Sequence, residues 1–214
     1  MKTQTLMKVC IAAIVVVFAA ALTFTKIIPY YTFKNYQPQN GDLIFQSLPV
    51  NDLVLTIEGV TKSPYSHCGI VVEKDGEWQV LEAIGPVKYT KLYEWVQRGR
   101  DEAFTVTRLK DTSKVNEFIL DAETFMGKPY DSRYRLDDEK IYCSELIYKA
   151  YQSVTGIKLA ELAKLGDLPW QEYKRTIEKY EKGSVPLERL MITPVDLSRS
   201  TYTSKVYSQN YQLK

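Results

Sequence analysis

Three side chains in this sequence could combine into a site for acid–base and nucleophilic chemistry. His67 is the only histidine of the 214 residues, Glu82 lies in an apolar stretch that follows it, and Cys143 precedes an amphipathic segment. A carboxylate beside an imidazole fixes the tautomer of the ring and raises its basicity. A cysteine thiolate is a nucleophile that attacks carbonyl carbon. If the fold brings the three together, Cys143 could act as nucleophile, His67 as base and Glu82 as the group that orients the base.

A predicted β-hairpin would carry two of these side chains. Residues 66–73 and 78–84 are rich in β-branched and apolar side chains, which is typical of strands. Asp75 and Gly76 between them are typical of a two-residue hairpin turn. We therefore expect two antiparallel strands whose register is set by this turn.

The register decides whether His67 and Glu82 can meet. The Asp-Gly turn places Gly69 opposite Glu82, and His67 lies on the same face as Gly69, so His67 and Glu82 become diagonal neighbours at roughly 7 Å. A slip of one residue would move Glu82 to the opposite face and leave a histidine without its carboxylate. Cys68 alternates to the other face, and we interpret it as a packed small residue rather than a second nucleophile.

The role of Cys143 depends on where its helix begins. A helix that begins at Cys143, with Glu145 in its first turn, places the thiol at the positive end of the helix dipole and turns its backbone N–H toward a developing oxyanion. A helix that begins at Asp137 or Asp138 instead makes Cys143 a core residue on the same apolar stripe as Ile147. The local pattern leaves both starts open.

The remaining pattern predicts an α+β fold, because a group of strands is flanked by helices without a regular βαβ alternation. Strands are predicted at residues 42–45 and 104–109, and residues 53–60 fit either a helix or a strand. Apolar residues recur at helical spacing over residues 115–125, and residues 159–182 read as a heavily charged helix.

Composition excludes several classes of function. The chain has 28 Lys and Arg against 26 Asp and Glu, and four of the lysines fall in the first forty residues, which contain no acid. The remainder is therefore slightly acidic, so we expect no nucleic-acid partner. One histidine and three scattered cysteines predict neither a metal site nor a disulfide framework, and we expect no cofactor.

The N-terminus indicates export. Residues 1–26 contain an uncharged, mostly apolar stretch between Lys8 and Lys26, with a length between those of a signal-peptide core and a spanning helix. We expect a signal peptide or an N-terminal membrane anchor there, a linker over residues 27–40, and one folded domain over residues 41–214. The protein is then extracytoplasmic, in the periplasm or cell envelope, and either secreted or tethered to the membrane by this segment.

Five stretches, in this order, carry a family resemblance. They are Gly41-Asp42-Leu43-Ile44-Phe45, Ser66-His67-Cys68-Gly69, Leu81-Glu82-Ala83-Ile84-Gly85-Pro86-Val87-Lys88-Tyr89-Thr90, Gly127-Lys128-Pro129-Tyr130-Asp131 and Tyr142-Cys143-Ser144-Glu145. Over about residues 38–195 the chain resembles the YiiX-like branch of the permuted papain-like enzymes, relatives of the NlpC-type cell-wall cysteine hydrolases.

The resemblance implies both a fold and a site. The fold is a circularly permuted papain-like one, with an antiparallel sheet or small barrel packed against helices and the histidine strand before the cysteine helix. His67 would be the general base, Glu82 its orienting partner and Cys143 the nucleophile. The implied substrate is an amide-containing small molecule or a cell-wall peptide.

Three functions fit these expectations. The first is a cell-envelope cysteine hydrolase that cleaves an amide in a peptide, a peptidoglycan stem or a related compound through an acyl-enzyme. The second is a cysteine acyltransferase acting on lipid, which a long apolar groove near Cys143 would favour. The third is a catalytically inert, membrane-tethered binding module.

Three acidic residues before Cys143 also have two interpretations. Asp137, Asp138 and Glu139 could attract a cationic substrate to one wall of the cleft. They could instead cap the chain ahead of a helix with no ligand involved.

Overall fold

The computed structural model describes residues 35–211 of the chain. The predicted signal or anchor segment and the predicted linker up to residue 34 lie outside the described residues. The compact unit that carries the candidate site begins at Pro38. Its first residues are tied to the fold, because Asn40 Oδ1 accepts a hydrogen bond from the backbone N–H of Glu73 at 2.7 Å. Among residues 35–211, no helix has the length and apolar character needed to cross a bilayer.

A six-stranded antiparallel sheet forms the centre of this unit. Its strands are β1 (Leu43–Gln46), β2 (His67–Lys74), β3 (Glu77–Ala83), β4 (Val87–Lys91), β5 (Phe104–Leu109) and β8 (Thr203–Gln209). The order across the sheet is β4-β3-β2-β1-β5-β8. β4 and β8 are its two edges, so the sheet is open and is not the small barrel that was one of the two expected forms. Two short strands, β6 (Ala163–Lys164) and β7 (Leu190–Met191), pair separately.

The predicted hairpin and its register are confirmed. β2 pairs with β3 so that Lys74 lies opposite Glu77 and Ile70 opposite Leu81. Asp75 and Gly76 both have positive φ, 55° and 75°, as the two central residues of a type I′ turn require. The turn therefore aligns the two strands as the local sequence predicts.

Six helices complete the unit: α1 (Asp52–Thr61), α2 (Leu92–Arg98), α3 (Val115–Glu123), α4 (Cys143–Thr155), α5 (Lys174–Glu181) and α6 (Pro194–Ser198). The ambiguous residues 53–60 are helical, and α3 and α4 lie where apolar spacing predicted helices. Gly156, with φ +72°, ends α4 in a left-handed conformation that glycine adopts without strain.

The main core lies between one face of the sheet and the helices α3 and α4. Phe45, Ile70 and Leu81 from the sheet pack there with Phe118 and Leu146 from the helices, all fully buried. Full burial of such a side chain contributes about 1.5–3 kcal/mol. This core therefore holds the start of α4 firmly against β2.

The prediction of one charged helix over residues 159–182 is wrong. The chain there forms β6, a 3₁₀ turn at Leu165–Asp167, another at Gln171–Tyr173 and then α5. Pro169 cannot donate a helical hydrogen bond and disfavours helical geometry at the residue before it. The backbone N–H of Gly166 instead donates to Leu187 at 2.8 Å. A partner distant in sequence thus replaces the helix that local composition favours.

Candidate active site

His67 and Glu82 are in direct contact. The imidazole Nε2 lies 2.5 Å from Glu82 Oε2, and both side chains are almost completely excluded from solvent. His67 opens β2 and Glu82 lies near the end of β3, so the hairpin alone brings them to one face. Gly69 lies between them in the register, and a side chain there would collide with Val80 Cγ1 at 2.3 Å.

Glu82 has two further partners that the sequence analysis did not identify. Thr90 Oγ1 donates to Glu82 Oε1 at 2.5 Å. Arg98, the last residue of α2, donates from Nη1 to Oε1 at 3.0 Å and from Nη2 to Oε2 at 2.5 Å. Burial opposes ionisation of Glu82, but the hydrogen bonds and charges of His67 and Arg98 lower its pKa to about 2. Glu82 is therefore a carboxylate held on both oxygens.

Cys143 is the first residue of α4, so the structure selects the first of the two predicted helix starts. Tyr142 before it is extended, and its backbone N–H donates to Glu145 Oε2 at 3.2 Å, which caps the helix. Ser144 Oγ donates to the carbonyl of Ile192 at 2.8 Å, and Ile192 N–H donates to the Tyr142 hydroxyl at 3.1 Å. These bonds hold the helix start against the segment after β7.

Cys143 and His67 are both buried, and their pKa values are shifted in opposite directions. The hydrogen bond from Cys68 contributes most to lowering the pKa of Cys143 well below its ordinary value, and the bond to His67 adds to it, in spite of burial. Burial alone would lower the pKa of His67, but its hydrogen bonds to Cys143 and Glu82 raise it to about 9. Because Nε2 is engaged by Glu82, Nδ1 is the ring nitrogen left for the sulfur.

Cys68 has a larger part than the sequence analysis assigned to it. It belongs to the same buried core as Cys143, and hydrogen bonding by its side chain and its backbone lowers the pKa of Cys143. Burial first, then the hydrogen bond with Cys143 and the negative charge of Cys143, raise the pKa of Cys68 well above its usual value, so it stays a thiol. The interpretation of Cys68 as a packed residue only was incomplete, because alternation along β2 does not reveal which helix end lies over that face.

Aromatic rings surround the pair. The ring of Trp95 in α2 lies 5.9 Å from that of His67. Tyr134 lies 4.7 Å from Tyr142, and its hydroxyl is 3.0 Å from that of Tyr130. Burial first, and also the charge of Cys143, raise the pKa of both Tyr130 and Tyr134. Both hydroxyls are therefore protonated.

A pocket with an enclosed volume of about 60 Å³ is lined in part by Tyr134. Its walls are mainly apolar and come from α1, α5 and the segment around β7. Among the lining residues are Leu53, Ile57, Val60, Tyr134, Ile177 and Met191. Tyr134 links this pocket to the site, because its ring packs against that of Tyr142, the residue before Cys143.

Two of the acidic residues before Cys143, Asp137 and Asp138, make turn hydrogen bonds and ion pairs. Asp137 Oδ1 accepts from the backbone of Glu139 at 3.0 Å, and its carboxylate lies 3.4 Å from Arg135. Asp138 Oδ1 lies 3.0 Å from Lys149 Nζ. Because Tyr142 is the N-cap of α4 and Glu145 caps it, these contacts stabilise the preceding loop and do not cap the helix. Attraction of a cationic substrate by these acids stays a prediction.

This arrangement, a helix that begins at a cysteine and packs on an antiparallel sheet whose histidine strand comes earlier in the chain, defines the class of permuted papain-like cysteine hydrolases. Residues 37–207 match the family described as permuted papain-like amidase enzyme, YaeF/YiiX, C92 family, and the chain belongs to this family. It is thus an enzyme of the papain-like amidase type, and its substrate class is an amide-containing compound.

Two similar proteins come from Escherichia coli. The uncharacterized protein YiiX of strain K12 is 34% identical over 165 residues, which are 74% of this chain and 81% of YiiX. A crystal structure of YiiX from the O157:H7 strain, described there as a metalloprotein, superposes with a TM-score of 0.77 at 30% identity, covering 81% of this chain and 99% of that one. Within residues 35–211 of the present chain, no group of three or more His, Cys, Asp or Glu side chains is placed to hold a metal ion.

The site residues that sequence reasoning missed are on elements it did not predict. Thr90 is in β4, where Val87, Tyr89 and Lys91 alternate with Lys88 and Thr90 after a Gly-Pro turn. That alternation could have revealed the strand. Arg98 ends α2, whose buried residues Leu92, Trp95 and Val96 follow the i, i+3, i+4 spacing that could have revealed the helix, but no local signal indicates its contact with Glu82.

Proposed function

We propose that this protein hydrolyses an amide through a Cys143–His67–Glu82 triad and an acyl-enzyme. The observation that carries the proposal is the buried 2.5 Å contact of His67 Nε2 with Glu82, together with a Cys143 thiol whose pKa His67 helps to lower. Those are the contacts that a base needs to exchange a proton with a nucleophile while keeping one orientation.

The reaction proceeds in two halves. The Cys143 thiolate attacks the amide carbonyl carbon, and the oxyanion that forms is stabilised by the free backbone N–H of Cys143 and the positive end of the α4 dipole. The C–N bond then breaks as the His67 imidazolium gives its proton to the departing amine, leaving a thioester on Cys143. In the second half, neutral His67 takes a proton from water and the resulting hydroxide attacks the thioester carbonyl. The C–S bond then breaks, which releases a carboxylic acid and regenerates the Cys143 thiolate.

Access to Cys143 is part of this mechanism. The side chain of Cys143 is fully buried, so a carbonyl can reach the sulfur only if neighbouring side chains move. Tyr130 and Tyr134, whose hydroxyl pKa values respond to the charge of Cys143, are the side chains we expect to shift. Tyr134 has a positive φ of 56°, an uncommon conformation for a residue with a large side chain.

A second candidate function is acyl transfer or hydrolysis on a lipid. The apolar pocket beside Tyr134 favours it, because such walls fit a hydrocarbon chain better than a peptidoglycan stem. The chemistry at Cys143 is the same in both cases. The acceptor of the acyl group distinguishes them, being water for the hydrolase and a second substrate for the transferase.

We also propose that the enzyme works outside the cytoplasm, secreted or tethered by residues 1–26. The lysines and the apolar stretch of that segment support this location. A fusion of residues 1–40 to alkaline phosphatase, which folds only where disulfides form, should be active, and a matched fusion lacking residues 9–25 should not. An inactive fusion that carries all of residues 1–40 would argue against export.

Intact mass spectrometry tests the catalytic proposal. The protein is incubated with peptidoglycan fragments, acylated lipids and a series of N-acyl amides of increasing chain length, then quenched in acid to keep the thioester. We expect an acyl adduct on Cys143 that decays in water, and none on the Cys143→Ala variant. Decay only after an alcohol or amine acceptor is added would favour the transferase. If neither amide nor lipid forms an adduct, the inert binding module is favoured.

A further inference from the structure

We propose that Arg98 is a positioning residue whose guanidinium holds Glu82 and supplies the fourth charge of an electrically neutral buried cluster. This role deepens the proposed function and rests on it. The cluster consists of Cys143, His67, Glu82 and Arg98.

The contact between Arg98 and Glu82 has the geometry of a strong ion pair. Two guanidinium nitrogens meet two carboxylate oxygens, at 3.0 and 2.5 Å. The Glu82 side chain is 0% exposed and that of Arg98 is 26% exposed. A bidentate ion pair to a buried carboxylate is stronger and more directional than an exposed ion pair. Arg98 is also the last residue of α2, in which Trp95 and Val96 are buried.

The four charges alternate in sign. The thiolate of Cys143 meets the imidazolium of His67, which meets the carboxylate of Glu82, which meets the guanidinium of Arg98. Two negative and two positive charges cancel. Without Arg98 the cluster would carry one excess negative charge where little water can screen it, and each acid in it would hold its proton more tightly.

Other groups near the cluster do not replace that charge. Cys68, Tyr130 and Tyr134 have raised pKa values, so they are neutral. Lys88 lies opposite Glu82 in the register of β4, but it is exposed. Within the part of the chain that the structure describes, the ion pairs of Glu82 are those with His67 and Arg98.

Thr90 allows charge to be separated from orientation. Its hydroxyl donates to Glu82 Oε1 at 2.5 Å, the same oxygen that Arg98 Nη1 reaches. Thr90→Val removes a neutral hydrogen bond and leaves the cluster charges unchanged. Arg98→Gln removes the charge while keeping amide donors near Glu82. The two variants therefore form a matched pair.

The experiment measures the titration of Cys143 and His67 directly. Absorbance of the thiolate at 240 nm, taken as the difference from Cys143→Ala, follows the ionisation of Cys143, here called the acid limb. The NMR signals of the single histidine follow the loss of the proton from His67, here called the alkaline limb. In Arg98→Gln we expect both limbs to move to higher pH by about one unit, a roughly tenfold loss of thiolate on the acid limb. Arg98→Lys, which keeps the charge, and Thr90→Val should move them much less.

A double variant keeps the test decisive if Arg98→Gln does not fold. Glu82→Gln alone leaves one excess positive charge, and Glu82→Gln with Arg98→Gln restores neutrality, so the limbs should lie at higher pH in the double variant than in the single one. The role of Arg98 would be overturned if the two limbs lay at the same pH in these two variants. It would also be overturned if they lay at the same pH in Arg98→Gln and in the wild type. Absence of any thiolate below pH 8 in the wild type would instead overturn the proposed triad.

Discussion

His67 Nε2 lies 2.5 Å from Glu82 Oε2, and neither side chain is open to water. The short contact fixes the rotation of the imidazole and leaves Nδ1 for the Cys143 sulfur. Because water does not compete, the carboxylate affects the proton affinity of the ring more than it would on the protein surface. The properties of the proposed nucleophile therefore depend on a hairpin far from it in sequence.

His67 should titrate with a pKa of about 9 in the native protein. In Cys143→Ala the pKa should fall, because the thiolate is lost and burial disfavours the charged ring. Since the folded pKa lies above the ordinary 6.5, the group stabilises the fold fully below about pH 6.5, and this contribution disappears as pH rises through about 9. NMR titration of the single histidine measures its pKa in the native protein and in Cys143→Ala. A native pKa below 6.5 would contradict the thiolate–imidazolium pair.

Glu82→Gln should lower kcat/KM by about 10²–10⁴-fold, because the base loses its orienting charge. The alkaline limb of the pH–rate profile should move to lower pH, since removal of a negative charge makes His67 lose its proton more easily. Glu82→Asp is the matched control, because it keeps the charge and shortens the reach. A profile that keeps its alkaline limb in Glu82→Gln would show that Glu82 does not act on His67.

Iodoacetamide at pH 6 should label Cys143 before Cys68, as the opposite directions of their pKa shifts require. Cys68→Ala should slow the labelling of Cys143, because the largest hydrogen-bond contribution to its low pKa is removed. Cys68→Ser should slow it less, since the hydroxyl can still donate. Peptide mapping after timed quenching gives the rates. Faster labelling of Cys68 than of Cys143 would remove the assignment of the nucleophile.

Asp137→Ala should lower the melting temperature, because the backbone N–H of Glu139 loses its acceptor and Arg135 loses an ion pair. Asp137→Asn keeps an acceptor without the charge and should lower it less. The ratio of kcat/KM for a cationic and a neutral substrate should be unchanged in both variants. A selective rise of KM for the cationic substrate would instead support the idea that these acids bind ligand.

Local sequence was enough to predict the hairpin and the contact it makes. Asp75-Gly76 restricts the turn to one type, and a turn of that type sets the register for every later pair, so the shared face of His67 and Glu82 follows from neighbours in the chain. Apolar spacing likewise predicted α3 and the body of α4, because amphipathic helices repeat every few residues.

Only the tertiary structure decided how the site is completed. The start of α4 at Cys143, rather than at Asp137 or Asp138, is held by Ile192, distant in the chain, which accepts from the Ser144 hydroxyl and donates to the Tyr142 hydroxyl. The contacts of Arg98 with Glu82, and of Cys68 with Cys143, join elements whose packing no local pattern encodes. Turn chemistry and periodicity act over a few residues, whereas the charge balance of a buried cluster depends on which groups the whole fold excludes from water together.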